Sequence, residues 1–263
     1  MPFFRRSQPA AVDDDGPMTL EEFALRAVPG REPLVLHAGL DIGKLSDPTA
    51  LVLYSLERGR RTMREARRLP LGTRYDDTAD RLAHWALATA RATSSLTIFM
   101  DCNGVGEGVH ERLSRRLSGG QVLLVPVLTT GGAEGPHRVS QERGKRADPR
   151  VHVAKNWLVE ALEGGINTGR IRAAAGCPDL AEVQRQLNAF RATWSEGRHV
   201  GYEAKSGDHD DLVMASALPL VHELPPEGED VSGLGLLSDK FVPPELDDEF
   251  YPASRVESWR EGW

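Results

Sequence analysis

The sequence predicts an α/β fold: a mixed sheet of three antiparallel strands followed by parallel strands, flanked by helices. Three observations predict it. Two apolar runs joined by a short turn, and a third segment after "ERGR", read as consecutive antiparallel strands. From residue 75 onward, helical and strand-like segments alternate. Two of the apolar strands also end in an aspartate, and the final helix opens on a cluster of them.

The elements follow in order. Residues 1–30 are rich in Pro and Asp and hold one helical stretch, "TLEEFALRAV", with Thr19 placed as a cap. "PLVLHAGLDIG" is the first strand, "KLSDP" a turn, and "TALVLYSLE" the second strand. "RTMREARRLPL" is the third. "YDDTADRLAHWALATARAT" has helical periodicity. "SLTIFMD" is a short buried strand, "GVGEGVHERLSRRL" a helix and "QVLLVPV" another buried strand. Residues 129–150 read as a Gly- and Arg/Lys-rich loop, longer than compact domains usually carry without a purpose. Then come a helix at "VAKNWLVEALEGG", a strand "RIRAA", a helix "PDLAEVQRQLNAFRA", a strand "HVGYEA" and a closing helix from residue 208. Residues 225–263, with late aromatics Phe250, Tyr251, Trp259 and Trp263, read as an acidic flexible tail. The expected organisation is an extension over 1–30, one domain over 31–224 and a tail over 225–263.

Composition narrows the class. The net charge is −7, but it is uneven. Residues 1–30 hold five acidic and three basic side chains and residues 225–263 ten and three, which leaves 24 acidic and 26 basic between them. A slightly basic body with acidic ends is compatible with nucleic acid, which a whole-chain charge would conceal. No apolar run approaches the roughly 18 residues of a membrane span, and the N-terminal stretch has no secretory h-region, so a cytoplasmic protein with no membrane partner is expected. Cys102 and Cys177 are the only cysteines, which excludes a disulfide framework and a thiolate metal site.

The carboxylates carry the chemistry. Asp41 and Asp101 end buried strands, and Asp208, Asp210 and Asp211 open the last helix. In a parallel part of a sheet, strand ends gather at one edge, where loops build sites. Carboxylates meeting there repel one another unless a cation neutralises them. Hard oxygen donors suit Mg²⁺ or Mn²⁺ rather than zinc, and two such ions about 3.5–4 Å apart stabilise both oxygens of phosphodiester cleavage. The plain alternative is that a strand-terminal Asp starts a turn. Two look-alikes fail: "AGLDIGKLS" lacks P-loop glycine spacing and a Ser or Thr after Lys44, and "GVGEGV" misplaces its third glycine for a dinucleotide site. Gly104, Gly106 and Gly108 read instead as a tight backbone turn beside the site.

The segments "GLDIGKLSDPTALVLYS", "IFMDCNGVGEGVHERL", "VAKNWLVEALEGGINTGRIR" and "GDHDDLVMASALPL" together resemble the C-terminal nuclease domain of tailed-phage large terminase subunits. The resemblance runs over roughly residues 34–223. It implies an RNase H-like fold related to the RuvC resolvases, two Mg²⁺ or Mn²⁺ ions, and double-stranded DNA as substrate. By position, Asp41 and Asp101 become metal ligands and catalytic residues. Asp211 is the favoured third carboxylate, with Asp210 reaching a second ion or ordering water, since neighbouring helical residues point ~100° apart. Asp47 and His209 stand behind the ligands, Asp47 alternatively as a turn residue, and Asp208 reads as a simple cap. Lys155 either contacts DNA phosphate or is a solvated helix end. Arg138, Arg143, Lys145, Arg146 and Arg150 of the basic loop would neutralise phosphates without reading sequence, unless the loop is merely solvated. No aromatic interleaving suggests base stacking, which favours duplex backbone contact. Cys102 reads as a small packing residue.

One departure matters: no P-loop is present, and only about 30 residues precede the domain. A separate terminase ATPase, a small terminase subunit and a portal are therefore the expected partners, or the chain is a stand-alone nuclease of prophage origin. The rival readings are a RuvC-like Holliday junction resolvase and a non-catalytic packaging or adaptor module.

Overall fold

The computed structural model describes residues 35–43, 47–57, 59–92, 95–118, 122–131, 137–139, 150–189, 191–194, 200–203 and 209–223. The N-terminal extension, the acidic tail, Asp208, Arg143, Lys145 and Arg146 lie outside them, and for Arg138 only the backbone is described.

Three antiparallel strands open the fold as the sequence predicts: β1 (Val35–Asp41), β2 (Ala50–Glu57) and β3 (Arg60–Arg68). Helix α1 (Tyr75–Ala92) leads to β4 (Ser95–Asp101), which pairs parallel with β1. Helix α2 (Val105–Arg116) then crosses over to β5 (Val122–Thr130), parallel with β4. Next come β6 (His137–Val139) and β7 (Arg150–Ala154), followed by α3 (Lys155–Asn167), β8 (Ile171–Ala173) and α4 (Leu180–Ala189). A separate antiparallel pair, β9 (Arg191–Trp194) and β10 (Val200–Glu203), precedes α5 (Asp211–Ala217) and a 3₁₀ turn at Leu218–Glu223. The large sheet has eight strands in the order β6-β7-β5-β4-β1-β2-β3-β8.

The mixed α/β prediction therefore holds, with three corrections. The stretch 129–150 is not all loop. β5 runs on to Thr130 because Thr129 and Thr130 pair with Val153 and Ala154, and β6 pairs antiparallel with β7. β7 itself was hidden in the sequence: "RVHVA" is too short for its alternation to stand out beside a Gly/Arg-rich run, and its last two residues read equally well as the start of a helix. The closing helix starts at Asp211 and not at residue 208, and Asp210 occupies its N-cap position.

Strand alternation divides the core. Leu36, Ala38 and Leu40 of β1 face α1 and α2, whose Leu82, Trp85, Ala86, Val109 and Leu113 are buried against them. On α1, Ala79, Leu82, Ala83 and Ala86 fall on one helical stripe, which is why this segment reads as amphipathic. The opposite face holds Tyr54, Phe99, Leu158, Val159 and nearly all of α5. Each such large side chain contributes about 1.5–3 kcal/mol by leaving water. His37 also points to this face and accepts a hydrogen bond from Arg61 (Nη1 to Nδ1, 3.0 Å). Burial first, then the Arg61 charge, pushes its pKa down to about 2, so it is a neutral acceptor.

Helix α5 is short and almost entirely buried, and it lies directly on β1 at Gly39. A Cβ there would sit 1.9 Å from the carbonyl oxygen of Ala215. Gly39→Ala is expected to cost at least the ~1–3 kcal/mol of ordinary overpacking, because the clash is with backbone that has no rotamer to change. Urea unfolding checks this; an unchanged midpoint would contradict the packing described.

Candidate metal centre

The site follows from strand register. β1 and β4 run parallel with Leu40 opposite Met100, so Asp41 and Asp101 leave the sheet side by side at the same edge. Alternation puts Asp41 on the face of Gly39, and Asp101 on that of Phe99, which is the face α5 covers. α2 begins immediately beyond Asp101: a Cβ at Gly106 would lie 2.1 Å from the Asp101 carbonyl oxygen, so only glycine admits this turn. Asn103 fixes the carboxylate, its backbone N–H donating to Asp101 Oδ1 at 2.9 Å while its side-chain amide donates to the Thr129 carbonyl at 3.0 Å.

The helix that brings the other carboxylates shows why so many acids stand at its start. Asp210 occupies the N-cap position but makes no side-chain cap bond. It accepts instead from Lys155 Nζ at 2.8 Å, at the first residue of α3. Asp211 turns the other way, into the core, and is 3% exposed. Its Oδ1 accepts from Gln186 Nε2 at 2.9 Å, and Gln186 Oε1 in turn accepts the Leu212 N–H at 2.9 Å. A glutamine from α4 thus caps the helix in place of its own aspartates. Asp211 Oδ2 is buried with no hydrogen-bond partner among the described residues; the Arg68 guanidinium stands 4.0 Å away. Asp47 and His209 face each other across the rim, Nδ1 to Oδ1 3.4 Å.

Asp41, Asp47, Asp101, His209, Asp210 and Asp211 line one cavity of about 280 Å³. Burial raises the Asp41 carboxyl well above its usual range, and the charges of Asp101, Asp210 and Asp211 raise it further against the opposing pull of Lys155. Burial also raises Asp101, opposed by the Asn103 hydrogen bond and Lys155. It raises Asp211 too, opposed by Gln186 and Arg68. Among the described residues no three His, Cys, Asp or Glu side chains already converge as a finished cation site. The donor set nevertheless fits a hard divalent cation: it is all carboxylate oxygen, mutually repelling, and one of its buried oxygens has no donor.

Other predicted residues fall elsewhere. Lys155 is not a solvated helix end, since it is held against the carboxylates. Arg150 does not stand free in a loop. It sits on β7 and forms a two-pronged pair with Glu107 of α2, at 2.7 and 2.6 Å. Cys102 is buried, and burial pushes its thiol up to about 12, so it is no nucleophile. The sequence reading missed Gln186 and Arg68; a polar residue inside the buried stripe of α4, beside Val183, was the one available sign. It also missed a second hollow of about 350 Å³ that shares Gly43 and Asp47 with the first and is walled by Leu71, Thr73, Arg74 and Tyr75.

A mixed sheet whose first and fourth strands end in paired aspartates, with a second acidic pair delivered by a helix laid on the first strand, defines an RNase H-like architecture with a carboxylate centre. No profile of a known protein family matches the chain, and no curated protein matches it in sequence. Solved structures do match its fold. The large terminase nuclease from thermophilic phage G20c aligns with a TM-score of 0.50 at 19% identity, over 72% of this chain and 83% of that one. The same nuclease with bound magnesium aligns at 0.50 and 21% identity, over 72% and 82%, and with bound cobalt at 0.50 and 20%, over 72% and 81%. The chain has the fold of the large terminase nuclease domains, as the sequence resemblance implied. No helix among the described residues is long and apolar enough to cross a membrane.

The raised carboxyls carry a sign. Each binds its proton more tightly folded than unfolded, so above the unfolded value of ~3.9 the folded state holds more protons and loses stability as pH rises. In EDTA, Asp41→Asn is therefore expected to melt higher than the wild type at pH 8 and to lose that advantage as the pH is lowered, a comparison in which the opposite contribution of the neutral His37 is common to both proteins. Thermal melts check both; an Asp41→Asn variant that melts lower would show that the carboxylate is compensated within the protein.

Proposed function

We propose that this chain is a metal-dependent endonuclease that cleaves double-stranded DNA. Its proposed setting is phage genome packaging, with a separate terminase ATPase, a small subunit and a portal. The observation that carries the reading is the one cavity lined by Asp41, Asp101, Asp210 and Asp211, with the carboxyls of Asp41, Asp101 and Asp211 raised by burial. Likeness of fold to large terminase nucleases supports it.

In this reading Asp41, Asp101 and Asp211 are the ligands, and Asp210 serves a second ion or orders water. Mg²⁺ or Mn²⁺ held by these residues, two ions in the full site, would supply Lewis-acid activation of water and charge stabilisation for the departing 3′ oxygen. The chain's own residues do the rest. Asn103 holds Asp101 in one rotamer, and the Asp47–His209 pair braces the rim. Lys155 holds Asp210 by an ion pair, which supports a role for its charge beside a bound phosphate. The neighbouring hollow continues the groove: Arg74 is exposed, with no side-chain partner among the described residues, and Leu71 and Tyr75 flank it. One backbone strand of the duplex runs from the carboxylates past Gly43 into this hollow. Arg138, Arg143, Lys145 and Arg146 remain the proposed phosphate contacts of the basic segment.

Plasmid cleavage tests the reading. Purified protein is expected to linearise plasmid with Mn²⁺ or Mg²⁺ and not with EDTA. Asp101→Ala and Asp211→Ala are expected to lower the rate by more than about 100-fold, beyond what the loss of a supporting partner does. Absence of both cleavage and Mn²⁺ binding in the wild type would refute it. Arg74→Gln is expected to leave metal affinity intact, to weaken duplex binding measured in Ca²⁺ and to reduce its salt slope by about one. An unchanged slope would remove the hollow from the DNA path.

A further inference from the structure

We infer that Gln186, restrained by Glu182, is the positioning residue that leaves Asp211 a single oxygen for a divalent cation. The inference rests on the metal-centre reading above and deepens it.

Gln186 sits on α4, 25 residues before Asp211, and is 1% exposed. Both ends of its amide are used on the same helix start. Nε2 donates to Asp211 Oδ1, and Oε1 accepts from the Leu212 N–H, each at 2.9 Å. Because an amide is planar with donor and acceptor on opposite sides, these two bonds fix the Asp211 rotamer and the α5 terminus relative to each other. A purely structural cap needs only the acceptor half. The donor half is spent on a carboxylate oxygen, which leaves Oδ2 as the buried atom with no hydrogen-bond donor. A carboxylate with one oxygen so engaged is arranged as a one-oxygen ligand, the supporting-partner pattern common around metal sites.

Arg68 stands close to that oxygen, and it is held off. Its terminal nitrogen pairs with Glu182 Oε1 at 3.0 Å, while its Nε stays 4.0 Å from Asp211 Oδ2, beyond a hydrogen bond. Glu182 also touches Gln186 Nε2 at 3.4 Å and pairs with Arg185 at 2.8 Å. Glu182 thus does two things: it helps set the orientation of the amide, and it keeps the guanidinium from closing on the oxygen a metal would take.

Calorimetric Mn²⁺ titration beside thermal melts tests this. Gln186→Met keeps the length and burial but removes both bonds. It is expected to bind Mn²⁺ about tenfold more weakly while still melting cooperatively, and to lower kcat more than it raises KM for DNA. Glu182→Gln changes a partly exposed residue, so it tests the same idea where Gln186→Met fails to fold. With the restraint on Arg68 weakened, Mn²⁺ affinity is expected to drop severalfold at an unchanged melting temperature. Wild-type affinity in a folded Gln186→Met, or in Glu182→Gln, would overturn the inference and leave Gln186 as a helix cap alone. A wild type that binds no Mn²⁺ would instead overturn the metal-centre reading on which it stands.

Discussion

The contact on which the rest depends is the bare backbone of β1 at Gly39 meeting the bare backbone of α5 at Ala215. Helix and sheet normally stand apart by the depth of their side chains. Here that layer is missing on the strand side, so a seven-residue helix lies on the sheet surface and its first turn reaches the strand end. Asp41 and the Asp210–Asp211 pair are neighbours for this reason. Gly106 serves the other side of the cavity in the same way, letting α2 begin against the Asp101 carbonyl. Two glycines therefore set the size of the space between four carboxylates. The apolar side chains of α5, from Leu212 to Ala217, hold it there by burial.

What that arrangement does is energetically adverse for the isolated fold. Three carboxyls lose hydration, and Asp41 also feels three like charges. The protein offsets this in part with Lys155 on Asp210, with Asn103 on Asp101 and with Gln186 on Asp211. These three partners come from different parts of the chain, so no single loop movement releases them together. Stability surrendered at a site and recovered in the core is the usual relation between function and fold. Here the recovery comes from two apolar layers, one on each face of the sheet.

The parts of this that were legible in the sequence are those written locally. β1, β2, β4 and β5 show as apolar runs between turns, and Asp41 and Asp101 stand out because each ends such a run. The parts that were not legible depend on pairing across the chain. β7 is five residues long and is a strand because β5 and β6 pair with it. Acids at a helix start usually cap it themselves; here Asp210 holds the N-cap position without a side-chain cap bond, and the Leu212 N–H is taken by Gln186, which nothing in the local sequence connects to residue 212. Arg150 looked like part of a phosphate-binding run until Glu107, 43 residues earlier, came opposite it. Side-chain partners at such separations leave no period or spacing to read.

Crystals soaked in Mn²⁺ and measured at the manganese absorption edge would test the central claim most directly. The account predicts anomalous density inside the cavity, bonded to Asp41 and Asp101 and to Oδ2 of Asp211, with Oδ1 still on Gln186. Density only at surface carboxylates, or none with the four aspartates in their present pairings, would contradict it. The acidic centre would then be a strained structural feature and not a place for metal.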